Sequence, residues 1–139
     1  MESINPLPEI DTEFIAADTL QKKLDDALTQ GCVDSHGNPI VTILDFRNEN
    51  HLRPDNPPLR IRSNCHTQIL RLDDLQDPAV RAAIPRTGLV VTITETGNRD
   101  AYVTRYLSQF GLTNIKGLQF GMRGWIKLDY PTENSSVAD

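Results

Sequence analysis

Leu89-Val90-Val91-Thr92-Ile93-Thr94, followed directly by Glu95-Thr96-Gly97-Asn98-Arg99, is the stretch from which the rest of this chain can be read. An uninterrupted β-branched run predicts a strand buried on both faces, as at the centre of a parallel sheet. The polar, Gly-containing segment 94–99 predicts a tight loop. A helical pattern then begins, with Val103, Leu107 and Phe110 spaced by four and three residues, and Gly111 falls where a left-handed stop belongs. A short loop between a strand and a helix turns successive backbone N–H groups into a concavity at a positive helix end. That arrangement suits an anion.

Upstream, residues 1–12 are polar and Pro-punctuated and predict a flexible lead-in. Phe14 and Ile15 carry a short edge strand. Asp18 or Thr19 is expected to cap a helix whose apolar face is Leu20, Leu24, Ala27 and Leu28, and Gly31 is expected to stop it. Ile40 to Phe46 is a second apolar strand, closing on Asp45-Phe46-Arg47. Gln68 to Leu72 predicts another strand, and Asp77-Pro78 opens a helix with Pro in its first turn. Ile115 to Leu118 is the last strand, and Ile126 to Tyr130 is expected to close the fold around Trp125. Trp125 is expected to pack near the helix carrying Val103 and Leu107. Residues 131–139 are Ser-rich and apolar-poor, a flexible tail or linker. Strands alternating with helices predict one α/β domain over residues 13–130.

The loop and the segment after it carry a family resemblance. Gly97-Asn98-Arg99, then Leu118, Gly121 and Trp125, resemble the C-terminal half of a rhodanese (sulfurtransferase) domain, with Phe120 in place of the first Gly of the closing motif. Asp45-Phe46-Arg47 resembles the family's strand ending in Asp-x-Arg, which reaches the same sheet edge as the loop. The resemblance implies a five-stranded, mostly parallel sheet with helices on both faces. It also implies a loop cysteine that carries sulfur as a persulfide. In this sequence that position is Thr94.

The substitution removes the chemistry, because the thiolate is the nucleophile and sulfur must bond to sulfur. The sequence shows no base beside Thr94 to activate its hydroxyl. Glu95 is expected to repel an anionic donor. Thr94, Glu95, Thr96, Gly97, Asn98 and Arg99 are therefore an anion-binding loop without a nucleophile, with Asp45 and Arg47 on the neighbouring sheet edge. Arg99 is expected to bind loop carbonyls or a nearby carboxylate, and Asp100 to stabilise the helix N-terminus. The segment 48–67 departs from the family pattern. It carries Arg53, Arg60 and Arg62, a solvated loop or a contact for an acidic partner.

Composition narrows the function. A chain of 139 residues buries roughly two thirds of its unfolded surface as one domain. The net charge of −5 argues against nucleic acid or an anionic membrane as partner. No run approaches ~18 apolar residues, so no span is expected. Two cysteines, Cys32 and Cys65, without a leader pattern predict reduced thiols in a cytoplasmic protein. His36, His51 and His66 lie near them without metal-ligand spacing, so neither metal nor cofactor is expected. Both cysteines precede strands, which places them at the sheet edge opposite the loop, roughly 15–20 Å away. Two functions stay open. One is a non-catalytic regulatory module that binds a protein partner or a small anion. The other is an enzyme, either a sulfurtransferase using Cys65 or unconventional loop chemistry at Thr94 and Arg99.

Overall fold

The computed structural model describes residues 14–47 and 59–134. Its elements, in order, are β1 (Phe14–Ile15), α1 (Ala17–Thr29), β2 (Val41–Asp45), β3 (Leu59–Ile61), β4 (His66–Ile69), a 3-10 turn (Leu72–Gln76), α2 (Pro78–Ala82), β5 (Leu89–Ile93), α3 (Asp100–Ser108), β6 (Ile115–Leu118), α4 (Gly121–Lys127) and β7 (Thr132–Asn134). Five strands form one sheet in the order β1-β6-β5-β2-β4, every pair parallel. The Leu89 run is the middle strand, as its two-sided apolarity demands.

Alternation along β2 and β5 divides the core in two. Val41, Ile43, Val91 and Ile93 face α1 and α4 through Leu20, Leu24, Met122 and Trp125. Leu44 and Val90 face α3 through Val103 and Leu107, with Val80 of α2 at the margin. Trp125 therefore does not pack near Val103 and Leu107, as the sequence suggested. It sits on the other face of the sheet, its indole Nε1–H donating to Pro131 O at 2.8 Å and its ring 4.9 Å from that of Tyr130. Local pattern identified Trp125 as core; only the path of the chain after β6 decides which face receives it.

Other expectations shift by a few residues. Helix α1 begins earlier than expected, with Ala16 at its N-cap and no side-chain cap, while Asp18 lies in its first turn. Leu28, placed on the apolar face, is 47% exposed. Asp77 does cap α2, accepting from Ala79 N at 2.9 Å ahead of Pro78. Residues 121–127 are helical where the sequence indicated only a closing segment. Thr132–Asn134 pairs antiparallel with β3, so that part of the expected tail belongs to the fold. The lead-in, His51 and Arg53 lie outside the described residues.

The cysteines require a correction. They are not free thiols: Cys32 and Cys65 form a disulfide, their Cα atoms 5.5 Å apart. The reason lies in the topology. Cys65 immediately precedes β4, Cys32 lies upstream of β2, and β2 and β4 are parallel neighbours with Thr42 opposite His66. Chain segments entering two adjacent parallel strands arrive at the same edge, within disulfide reach.

Candidate functional site at the carboxyl edge of the sheet

Register assembles the site. Asp45 lies opposite Ile93 on β5, so Arg47 and the loop 94–99 leave the sheet side by side. They enclose a pocket of about 300 Å³ lined by Phe46, Arg47, Leu72, Thr94, Glu95, Thr96, Asn98 and Arg99. Ligand sites of open parallel sheets gather at this edge. Of the residues expected here, Gly97 faces α4 rather than the pocket, and Asp45 stands behind Arg47.

The loop is seated on α4. Met122 N donates to Thr94 O at 2.9 Å and Arg123 N to Glu95 O at 3.0 Å, so loop carbonyls satisfy helix N–H groups that have no partner in their own helix. Gly121 makes this approach possible. A Cβ there would lie 2.5 Å from Thr94 O and 2.6 Å from Gly97 N, at a φ of +62°.

Thr94 is 8% exposed and its hydroxyl is engaged on both sides. Gly97 N donates to Oγ1 at 3.0 Å, and Oγ1 donates to Asp100 Oδ2 at 3.3 Å. Thr92 Oγ1 donates to Asp100 Oδ1 at 2.9 Å. Asp100 is therefore not a solvated helix-end charge. It is fully buried, and Gly117 of β6 leaves the space it fills, since a Cβ at Gly117 would lie 2.3 Å from the Asp100 Cβ. Burial raises its pKa to about 6 against the lowering effect of the two threonine hydroxyls. A potential base does stand beside Thr94, contrary to the sequence reading. Its signal was an aspartate six residues on, at the start of α3; its burial depended on a glycine in the next strand, β6.

Charges alternate across the edge. Arg60 Nη1 meets Asp45 Oδ2 at 2.8 Å, Arg47 Nη2 meets the same oxygen at 3.3 Å, and Arg47 also donates to Leu59 O. Arg47 Nη1 lies 3.6 Å from Glu95 Oε1, and Arg123 Nε lies 3.7 Å from Glu95 Oε2. Glu95 thus sits between two guanidinium groups rather than as an isolated repulsive charge. The Asp45 cluster is buried, where losing one partner typically costs about 3–5 kcal/mol. The Glu95–Arg123 pair is open to solvent and contributes about 0–1 kcal/mol. Arg60 belongs to this cluster rather than to a solvated loop, and neither it nor Arg123 was expected here. Arg99 lines the pocket from an exposed position at the start of α3.

Cys65 lies at the other edge and is bonded to Cys32, so it is not brought to the loop. Among the described residues no group of three or more His, Cys, Asp and Glu is placed to hold a metal ion. No helix among them is long and apolar enough to cross a membrane.

No protein-family model matches this sequence, and no match to a curated protein is found. Solved structures do match. A rhodanese-related protein from Thermoplasma volcanium is 24% identical with a TM-score of 0.61, over 87% of this chain and 97% of that one. The rhodanese-like domain of an Anabaena sp. protein is 19% identical with a TM-score of 0.63, over 88% and 79%. Thiosulfate sulfurtransferase from Pseudomonas aeruginosa is 20% identical with a TM-score of 0.63, over 91% of this chain and 21% of that longer one. The chain has the rhodanese-like fold.

Proposed function

We propose that this chain is a rhodanese-like module that does not transfer sulfur and instead binds a protein partner or a small anion around residues 94–99. The observation that carries the reading is the state of Thr94. At the loop position where the fold's resemblance calls for a thiolate, a hydroxyl accepts from Gly97 N and donates to Asp100. It holds the loop together, and oxygen cannot carry a persulfide. An anion remains a candidate ligand because both Arg47 and Arg99 line the pocket. Glu95 competes for the Arg47 guanidinium.

The direct test is thiocyanate formation from thiosulfate and cyanide, with mass spectrometry of the incubated chain. The expected outcome is no thiocyanate above the buffer rate and no added sulfur on Cys32 or Cys65. Sulfane sulfur on Cys65 would overturn the reading. The cytoplasmic setting expected from the sequence belongs to this proposal too, and the Cys32–Cys65 bond weighs against it, because disulfides persist in oxidising compartments.

A second reading has its own support. Asp100 Oδ2 is 3.3 Å from Thr94 Oγ1 with a pKa near that of an effective base, which favours hydroxyl-based chemistry at the loop. Turnover of an activated ester that Thr94→Val abolishes would select it over the binding module.

A further inference from the structure

Beside the loop, on the outer side of α4, runs a groove of about 780 Å³ lined by Thr96, Phe120, Arg123, Gly124, Ile126, Lys127 and Leu128. We infer that this groove docks an acidic, amphipathic segment of another protein. The inference rests on the binding-module reading and names the partner's chemistry.

Phe120 is the first ground. It caps α4 with φ +66°, a left-handed conformation that glycine adopts freely and that strains a bulky L-residue. Its side chain recovers little by burial, being 66% exposed. Gly124, one helical turn on, leaves the room that Phe120 occupies, since a Cβ there would lie 2.7 Å from the Phe120 Cβ. Strain of this kind, combined with an exposed aromatic ring at the rim of a site, points to use by a ligand. Ile126 and Leu128 extend the apolar floor, at 42% and 59% exposed, while Trp125 beside them turns into the core.

Charge identifies the occupant. Arg123 and Lys127 stand four residues apart on α4, so their side chains share one flank of the helix. The rim is cationic on a protein of net charge −5. Arg123 touches Glu95, but its side chain is 73% exposed and free to turn toward another carboxylate. A second copy of this chain would set two such rims against each other across a two-fold axis. A polyanion such as RNA needs a longer basic stripe than the two side chains of this rim supply. A segment with carboxylates about one helical turn apart, flanking aromatic or aliphatic side chains, satisfies both rim and floor.

The test is fluorescence anisotropy on the full chain with a labelled peptide of repeating Glu-Phe-Glu-Leu and its Lys-for-Glu counterpart. The acidic peptide should bind about tenfold tighter or better, with affinity falling as salt rises. Phe120→Gly should weaken it about tenfold while raising the unfolding midpoint, because glycine suits that backbone. Lys127→Glu should reverse the preference between peptides. Unchanged affinity in Phe120→Gly, equal binding of both peptides, no uptake of peptide, or self-association that Phe120→Gly abolishes would each overturn the inference. Preference for RNA or anionic vesicles over the acidic peptide would overturn it as well. Thiocyanate formation would sink the module reading instead, whatever the peptides do.

Discussion

Burial sets the protonation of Asp100, and the hydroxyls of Thr92 and Thr94 oppose it. Raised to about 6 in the folded chain from an ordinary 3.8, the Asp100 pKa makes its ionisation costly to the fold. Linkage sets the sign: the folded state binds this proton more tightly, so Asp100's favourable contribution is complete below pH 3.8. It is lost as pH rises through 6, by roughly 3 kcal/mol in all. Urea unfolding of Asp100→Asn should lack this component. The stability of the parent relative to the variant should fall as pH rises from 4 to 7, and a pH-independent difference would show that Asp100 is solvated. Resemblance to the rhodanese loop singles out Thr94 as the position where a cysteine is expected, because loop and helix are contiguous around it. It did not show Asp100 as buried, because Gly117 supplies the space from another strand. The same pair limits any attempt to introduce a thiol. Thr94→Cys places sulfur beside a carboxylate that raises its pKa, so only traces of sulfur transfer are expected. Adding Glu95→Gln frees Arg47 for the donor and should gain roughly ten- to hundredfold in rate, equivalent to about 1–3 kcal/mol. A double variant whose loop thiol alkylates no faster than free cysteine would show that the pocket is closed to donors.

Among the elements, two kinds of information separate. Strands β2 and β5 were legible because each is an apolar run bounded by polar turns, and their parallel pairing brings Arg47 and Thr94 to one edge without further instruction. Helix α4 was not legible. It is seven residues long, contains Gly121 and Gly124, and begins at a left-handed phenylalanine, all of which argue locally against a helix. Its stability comes from Met122 and Trp125 in the core and from Thr94 O and Glu95 O at its first turn. Gly121→Ala tests this dependence. The added methyl meets three loop atoms within 2.7 Å at a φ that opposes it, and the predicted loss is more than about 2 kcal/mol. Amide exchange should rise over residues 94–99 and 121–127 together. Exchange confined to α4 would mean that the loop is held by β5 and α3 instead.

Across the whole molecule, the sheet has two edges with different tasks. The carboxyl edge gathers the loop, the arginines and the buried aspartate; the opposite edge carries the Cys32–Cys65 bond. Each cysteine precedes a strand, which puts both at the edge away from the loop in sequence and in fold alike. The sequence did not pair them, because strand order decides that two such segments are neighbours, and strand order is not written locally. The bond closes a loop with a sequence separation of 33 residues, spanning β2 and β3 before it reaches β4. Chain entropy assigns such a crosslink about 3–4 kcal/mol through the unfolded state. Strand β4 lies at the edge of the sheet with a mostly exposed sequence, so its pairing with β2 is backed by little side-chain burial. Urea unfolding with and without a dithiol reductant should therefore differ by about 2–4 kcal/mol, and Cys32→Ser with Cys65→Ser should match the reduced protein and no longer respond to reductant. Thiol titration of the unreduced chain under denaturant should find neither cysteine reactive. If both titrate as free thiols in protein purified without reductant, the edge is held by packing alone and the sequence expectation of reduced cysteines is restored.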